Sequence, residues 1–478
     1  MAQRSSSTVE KARTARRRAV LALAVLAGSQ LLIVVDATIV NVALGPIRDG
    51  LGFAVADLQW VVTAYTLAFG GLLIPGGRLA DRFGHRRVFL AGAATFGAAS
   101  LVGGSATTPA VLVVARAVQG AGAASMAPAA LALVLAVFPP GRRRVTALGV
   151  WAAATAGGTA LGSILGGVLT QAFSWRWVLW INIPAAALVV IGGAVLPRTR
   201  GMNRGRIDLL GAAMVTVGTA LLVYGLTRVA DRGWHDGGTL IPLLLAGLLL
   251  GSFVVLQRSR EGGLVPLEVM RNRTVVAADL VGLVLGVAIY SLFFFTSLFL
   301  SSIQAHDPVR VGLAFVPMTI AIAIAARLSG RLAGRIRPGL LSSAGASIVA
   351  IGIVLLSRIA PDSSYAGTLL PALVIAGFGL GLTFVPLTSA AVSGVSQADA
   401  GIASALFNAG QQIGGAIGLA VLTTVSAAWT AGVPESPSPA ATTAGWSVAF
   451  LVAAALTAVA AVVAATFIRT SDRPVETP

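Results

Sequence analysis

Long apolar runs, broken by short basic or polar segments, make up most of this chain. A membrane-spanning helix needs about 20 apolar residues in a row. By that measure fourteen runs qualify, beginning near Ala19, Leu58, Val88, Ala110, Val145, Trp177, Leu209, Thr239, Thr274, Val309, Gly339, Tyr365, Gly401 and Gly445. The pattern predicts an all-α polytopic membrane protein with 14 transmembrane helices. The first run, Ala19–Leu44, follows Arg16, Arg17 and Arg18 and outlasts the 7–15 apolar residues usual in a signal peptide, so it is read as an uncleaved first helix.

Two landmarks recur at almost one spacing. GRLADRFG starts at Gly77 and GRLAGRIR at Gly330, 253 residues later. Gly158, Gly162 and Gly166 repeat as Gly410, Gly414 and Gly418, 252 residues on. Each offset crosses eight spans, which fits two six-helix halves with two helices inserted between them. The expected organisation is a basic cytoplasmic arm (1–18), an N-terminal half (19–197), a linker with two inserted helices (198–273), a C-terminal half (274–468) and a cytoplasmic tail (469–478). Parallel six-helix repeats place a transporter's binding site at the interface between halves.

The formal net charge is +17. Placed with the amino terminus inside, 27 of the 34 Lys and Arg fall on the inner side and six on the outer, with Arg116 left inside a span. That asymmetry is the positive-inside rule. The charge therefore reports topology, with both termini cytoplasmic, and argues against a nucleic-acid partner. With no cysteine, thiol chemistry and thiolate metal sites are excluded. His85, His235 and His306 stand too far apart for a metal set, so no metal or cofactor is expected. The only lysine is Lys11, which excludes a Gly-x-x-x-x-Gly-Lys phosphate loop and its use of ATP. No nucleophile–base constellation marks an enzyme.

Asp36 is the candidate that carries chemistry, because a carboxylate inside a hydrophobic span is costly and by default functional. It lies roughly 12 Å from the outer end of span 1, and Arg116 roughly 10 Å into span 4, by the helical rise. The two opposite charges share a level. They form either a proton site tuned by a fixed cation or a static ion pair. Asp279 is the other acid within a span, about 8 Å from the inner end of span 9. It is a candidate second acid or an interfacial residue reaching water. Trp60, Tyr65, Phe69, Tyr290 and Phe294 are candidates to line a substrate cavity, where a lipophilic cation would gain cation–π contact. Asn41, Gln119, Asn408, Gln411 and Gln412 are buried polar candidates, read first as glue between helices.

These segments together resemble a family. GRLADRFGHRRVFL at Gly77–Leu90 resembles motif A of the major facilitator superfamily, and LVVARAVQGAGAA at Leu112–Ala124 resembles motif B, with its buried arginine at Arg116. VDATIVNVAL at Val35–Leu44 and WRWVLWINIP at Trp175–Pro184 are similar to signatures of the fourteen-helix drug:proton antiporter branch. One departure stands in motif C, where Ser163 follows Gly162 in place of the branch's proline; Gly166 and Gly167 are kept.

The resemblance implies proton-coupled export of amphipathic, cationic drugs or antibiotics across a bacterial inner membrane, with small molecules, protons and the lipid bilayer as partners. Asp36 and Arg116 would couple protons. Gly77, Asp81, Arg82, Gly84, Arg86 and Arg87 would form a latch between the halves on the inner side. Gly158, Gly162, Gly166 and Gly167 would pack helices closely. An importer on the same fold is the alternative.

Overall fold

The computed structural model describes residues 2–54, 57–138, 141–198, 208–259, 271–333, 335–395, 400–432 and 438–468. Parts of the expected linker, 199–207 and 260–270, and the tail at 469–478 lie outside them. Among the described residues every named element is helical, and fourteen helices are long and apolar enough to cross a membrane. They are α1 (Arg17–Val42), α2 (Trp60–Phe83), α3 (His85–Gly104), α4 (Pro109–Val137), α5 (Thr146–Ala172), α6 (Trp177–Val195), α7 (Leu210–Val229), α8 (Gly237–Gln257), α9 (Arg273–Ile303), α10 (Pro308–Leu332), α11 (Pro338–Leu356), α12 (Tyr365–Ala391), α13 (Gly401–Ala431) and α14 (Pro439–Phe467). The helix containing α1 starts at Ala2, so the backbone does not break at residue 18. The last span begins six residues earlier than the apolar run alone implied, because Ser438 caps the helix through the Ala441 amide and Pro439 fits the first turn.

The duplication is built into the packing. In the first group α1 packs on α5, α2 and α3 on α4, and α3 on α6. Eight helices later the same pattern returns as α9 on α13, α10 and α11 on α12, and α11 on α14. Glycine makes the closest of these approaches possible. A Cβ at Gly158, Gly162 or Gly166 would meet Val34, Thr38 or the Ile39 carbonyl of α1. Its counterparts Gly414 and Gly418 would meet Leu283 and Val287 of α9.

The two groups meet along two seams related by the same offset, α5 with α10 and α2 with α13. The first seam is tight at the outer end, as assigned from the basic loops. There Gly167 abuts Pro308, Gly312 abuts Ser163, and Ser297 Oγ donates to the Asn41 carbonyl at 2.5 Å. Of the inserted pair, α7 lies over the second seam and α8 packs on α7. Thr216 of α7 presses on Gly71 of α2, Tyr224 of α7 stands 6.5 Å from Trp60, and Thr424 of α13 donates to the Leu226 carbonyl at 2.8 Å.

Candidate functional site

Four helices of the first group converge on Asp36. Residues at i, i+3 and i+4 share a helix face, so Arg116 and Gln119 of α4 reach it together. Arg116 Nη1 donates to Asp36 Oδ2 at 2.7 Å. Gln119 Nε2 and Asn182 Nδ2 of α6 donate to Oδ1 at 2.9 and 2.6 Å. Gln119 Nε2 also reaches Ser100 Oγ of α3 at 2.7 Å, and that hydroxyl donates to the Phe96 carbonyl. The arginine is satisfied in turn. Its Nε donates to the Val61 carbonyl at 3.0 Å, its Nη1 to Gln119 Oε1 at 3.0 Å, and its Cζ lies 4.3 Å above the Tyr65 ring. Asp36 is 0% and Arg116 1% exposed. Charge-assisted bonds of this length are the strong ones, and together they balance the desolvation of both ions.

The expected meeting of Asp36 and Arg116 is therefore present. The carboxylate points into the six-helix group, and the wall of the seam is made by Tyr65. That ring stacks on Phe69 at 5.9 Å, and its hydroxyl is buried without a partner. Tyr290 of α9 lies within electrostatic reach of both Arg116 and Tyr65, and its hydroxyl donates to Gln412 Oε1 of α13 at 2.9 Å. Tyr65, Phe69 and Tyr290 thus stand at the seam between groups. Trp60 stands there too, against α7. Phe294 is 1% exposed, stands one turn from Tyr290 on α9, and its ring meets that of its chain neighbour Phe295 at 5.4 Å. Asn182 was not singled out from the sequence, although it lies within the quoted WRWVLWINIP segment. Gln119 was read only as helix glue, and Ser100 left no signal among the small residues around it.

Asp279 has no such company. It is half-buried on α9, its Oδ1 is buried without a partner, and among the described residues no cation pairs with it. At the motif-A segment, Asp81 is exposed and accepts from no arginine among the described contacts; its Oδ1 lies 3.1 Å from His85 Nε2. Arg82 lies over its own neighbour Phe83 at 5.6 Å, and Arg86 keeps a buried Nε without a partner. Gly84 has φ +95°, so the α2–α3 corner favours glycine. Gly77 has room for a side chain, and it is Gly76 that lies against the backbone of α4.

The known proteins agree with this architecture. Residues 26–419, from α1 into α13, match the model of the Major Facilitator Superfamily. The puromycin resistance protein pur8 of Streptomyces alboniger is 41% identical over 429 residues, covering 88% of this chain and 85% of its own. The cephamycin export protein CmcT of Amycolatopsis lactamdurans is 41% identical over 435 residues, 90% of this chain and 89% of its own. The lincomycin resistance protein of Streptomyces lincolnensis is 35% identical over 435 residues, 89% and 87%. Among solved structures, an inward-facing bacterial homolog of the human lysosomal transporter Spinster superposes with a TM-score of 0.66 at 15% identity, covering 95% of this chain and 99% of that one; at that identity the likeness concerns the fold. Two packed groups repeating at an offset of eight helices, and a family model spanning both, lead to one conclusion: the chain is a multi-pass membrane transporter, not an enzyme, and belongs to the major facilitator superfamily.

Proposed function

We propose that this transporter exports amphipathic, cationic small molecules in exchange for protons, with Asp36 and Arg116 as the coupling pair. The supporting observation is the sealed 2.7 Å contact between a carboxylate and a guanidinium directly behind the seam wall at Tyr65. Relatives named for resistance to, or export of, antibiotics favour efflux over uptake.

The geometry gives the pair a definite response. Oδ1 already accepts two N–H groups, so an incoming proton goes to Oδ2 and displaces the Arg116 N–H. The guanidinium keeps the Val61 carbonyl, Gln119 Oε1 and the Tyr65 ring. The pair then carries a net positive charge beside the seam, which repels a cationic cargo. Facing out, protonation releases cargo. Facing in, loss of the proton restores the neutral pair and permits loading. The pH gradient supplies about 1.36 kcal/mol per unit for each proton exchanged.

Everted membrane vesicles test this. A pH gradient, acid inside, should drive accumulation of a fluorescent cation. Asp36→Asn should lower that accumulation at least tenfold while the protein stays inserted. Full activity of the variant would reject the coupling role, and cargo leaving the vesicles down the same gradient would favour the importer.

A further inference from the structure

The Asp36 network leaves one membrane carboxyl unexplained. Asp279 is the seventh residue of α9, about 9 Å along the helix from its inner end. Apart from Asp36, and from Asp81 in the last turn of α2, it is the sole acid within the described spans. Its Oδ1 is buried and takes no hydrogen bond.

Among the described residues no cation on the helices packed against α9 pairs with it. α11, α13 and α14 contain no charged residue, and α12 contributes only Tyr365 at its opposite end. α1 contributes Asp36, whose charge is already matched, and Arg17 and Arg18 at its other end; the short helix Leu44–Leu51 contributes Arg48 and Asp49, which pair with each other beside Ser302 at the far end of α9. On α9 itself Arg273 lies nearly two turns toward the inner surface and Tyr290 three turns outward. α2 carries Arg78, Asp81 and Arg82 to the inner surface, where Asp81 faces His85.

The packing beside Asp279 is also loose. Gly158 of α5 lies within 2.9 Å of α1 for an added Cβ, yet its repeat counterpart Gly410 meets only the Asp279 carbonyl, at 3.9 Å. Half-buried Asn408 and Gln411 stand on the same stretch of α13, and Gln411 Nε2 is buried without a partner. Unpaired polar atoms on both sides of a loosened helix contact describe a place built for an occupant.

An ionised carboxylate with no counter-charge is costly in an apolar setting. Asp279 must therefore hold either a proton or a cation brought from outside the protein. We propose that Asp279 is a second exchange site, where a proton and the cationic group of the cargo alternate. This deepens the antiport reading and rests on it. A proton from the outer water binds the carboxylate as the cargo cation leaves; on the inner side the proton departs to water and a new cation takes its place. With Asp36 also titrating, two protons enter for each cation exported. Export of a monovalent cation then moves one net charge and responds to the membrane potential.

Proteoliposomes loaded with ethidium, a monovalent cation, provide the test. A pH gradient is set with and without a potassium–valinomycin potential. One net charge at 100 mV corresponds to about a fifty-fold change in the attainable gradient, so wild-type transport should respond strongly. Asp279→Asn should raise the KM for ethidium, and the pH-driven transport that remains should no longer respond to potential; Asp279→Glu should restore both. A wild-type protein indifferent to potential, or a D279N variant as responsive as wild type, overturns the proposal. Wild-type protein with no pH-driven transport at all would instead overturn the antiport reading. If D279N does not insert, a carbodiimide that attacks protonated carboxyls in apolar sites decides. It should modify Asp279 in the wild type and be excluded by ethidium. An unmodified or unprotected Asp279 overturns the proposal.

Discussion

Asp36 and Asp279 show how environment divides two chemically identical residues. Asp36 accepts three N–H donors and sits at 2.7 Å from a guanidinium, so its charge is compensated inside the protein. Breaking one side of such a pair leaves an ion uncompensated, which costs about 3–5 kcal/mol. Arg116→Ala should therefore lower thermal stability in detergent by about that amount and change the pH dependence of efflux. The double change Asp36→Asn with Arg116→Gln, which removes both charges, should recover most of the stability. An Arg116→Ala protein as stable as the parent, with an unchanged pH profile, would reject any role for the pair. Asp279, with an orphaned oxygen and no cation, has its neutrality supplied from outside the chain.

At the scale of elements, small residues decide which helices can meet. α1 and α5 approach closely because Gly158, Gly162 and Gly166 face Val34, Thr38 and Ile39. α13 and α9 use Gly414 and Gly418 against Leu283 and Val287 in the same way. A side chain of four carbons at Gly162 must displace Thr38 and the Val35 carbonyl, so Gly162→Leu should reduce the folded yield in detergent severely, on the order of 3 kcal/mol by the cost of overpacking. Gly157, on the opposite face, meets nothing within 4 Å, and Gly157→Leu should be tolerated. Equal losses at both positions would mean that the glycines act through backbone flexibility. Ser163, which stands where the drug:proton antiporter branch usually has proline, is fully buried, and its carbonyl lies against Gly312 of α10. The contact between halves at this level is thus made by backbone approach, with no proline kink required.

For the molecule as a whole, the two groups are joined at the end that the basic loops assign to the outside. The Ser297–Asn41 bond, the Arg48–Ser302 bond at 3.1 Å and the Gly45–Ser301 contact all join α1 or the short helix after it (Leu44–Leu51) to the end of α9. The inner latch is not engaged across the halves at Asp81, which faces His85 of its own segment. A reversible lock follows from the absence of cysteine in the chain. A Cβ at Gly45 would lie 3.1 Å from the Ser301 Cβ, near the span of a disulfide. The pair Gly45→Cys with Ser301→Cys should stop transport on oxidation and recover it with dithiothreitol. Transport that continues after quantitative oxidation would show that these ends do not separate during the cycle. α7 of the inserted pair covers the α2–α13 seam and touches both sides, with α8 packed on it, so motion at that seam proceeds beneath α7.

Hydrophobic runs, basic loops and the repeat at about 250 residues determined, from the sequence alone, the number of spans, their helical nature and the pairing of equivalent helices. Such features are local or periodic, and the bilayer imposes them on any chain that must satisfy its backbone without water. They also placed Asp36 and Arg116 at one level, because depth along a helix follows from counting residues. The neighbours of a residue across helices depend on rotation about each axis and on which helices meet, and counting supplies neither. Only the folded structure brought Gln119, Asn182 and Ser100 around Asp36 and left Asp279 without a partner. It alone also set α7 against the α2–α13 seam. The sequence marked two acids in apolar runs; the tertiary packing decided that one of them has its counter-charge built in and the other does not.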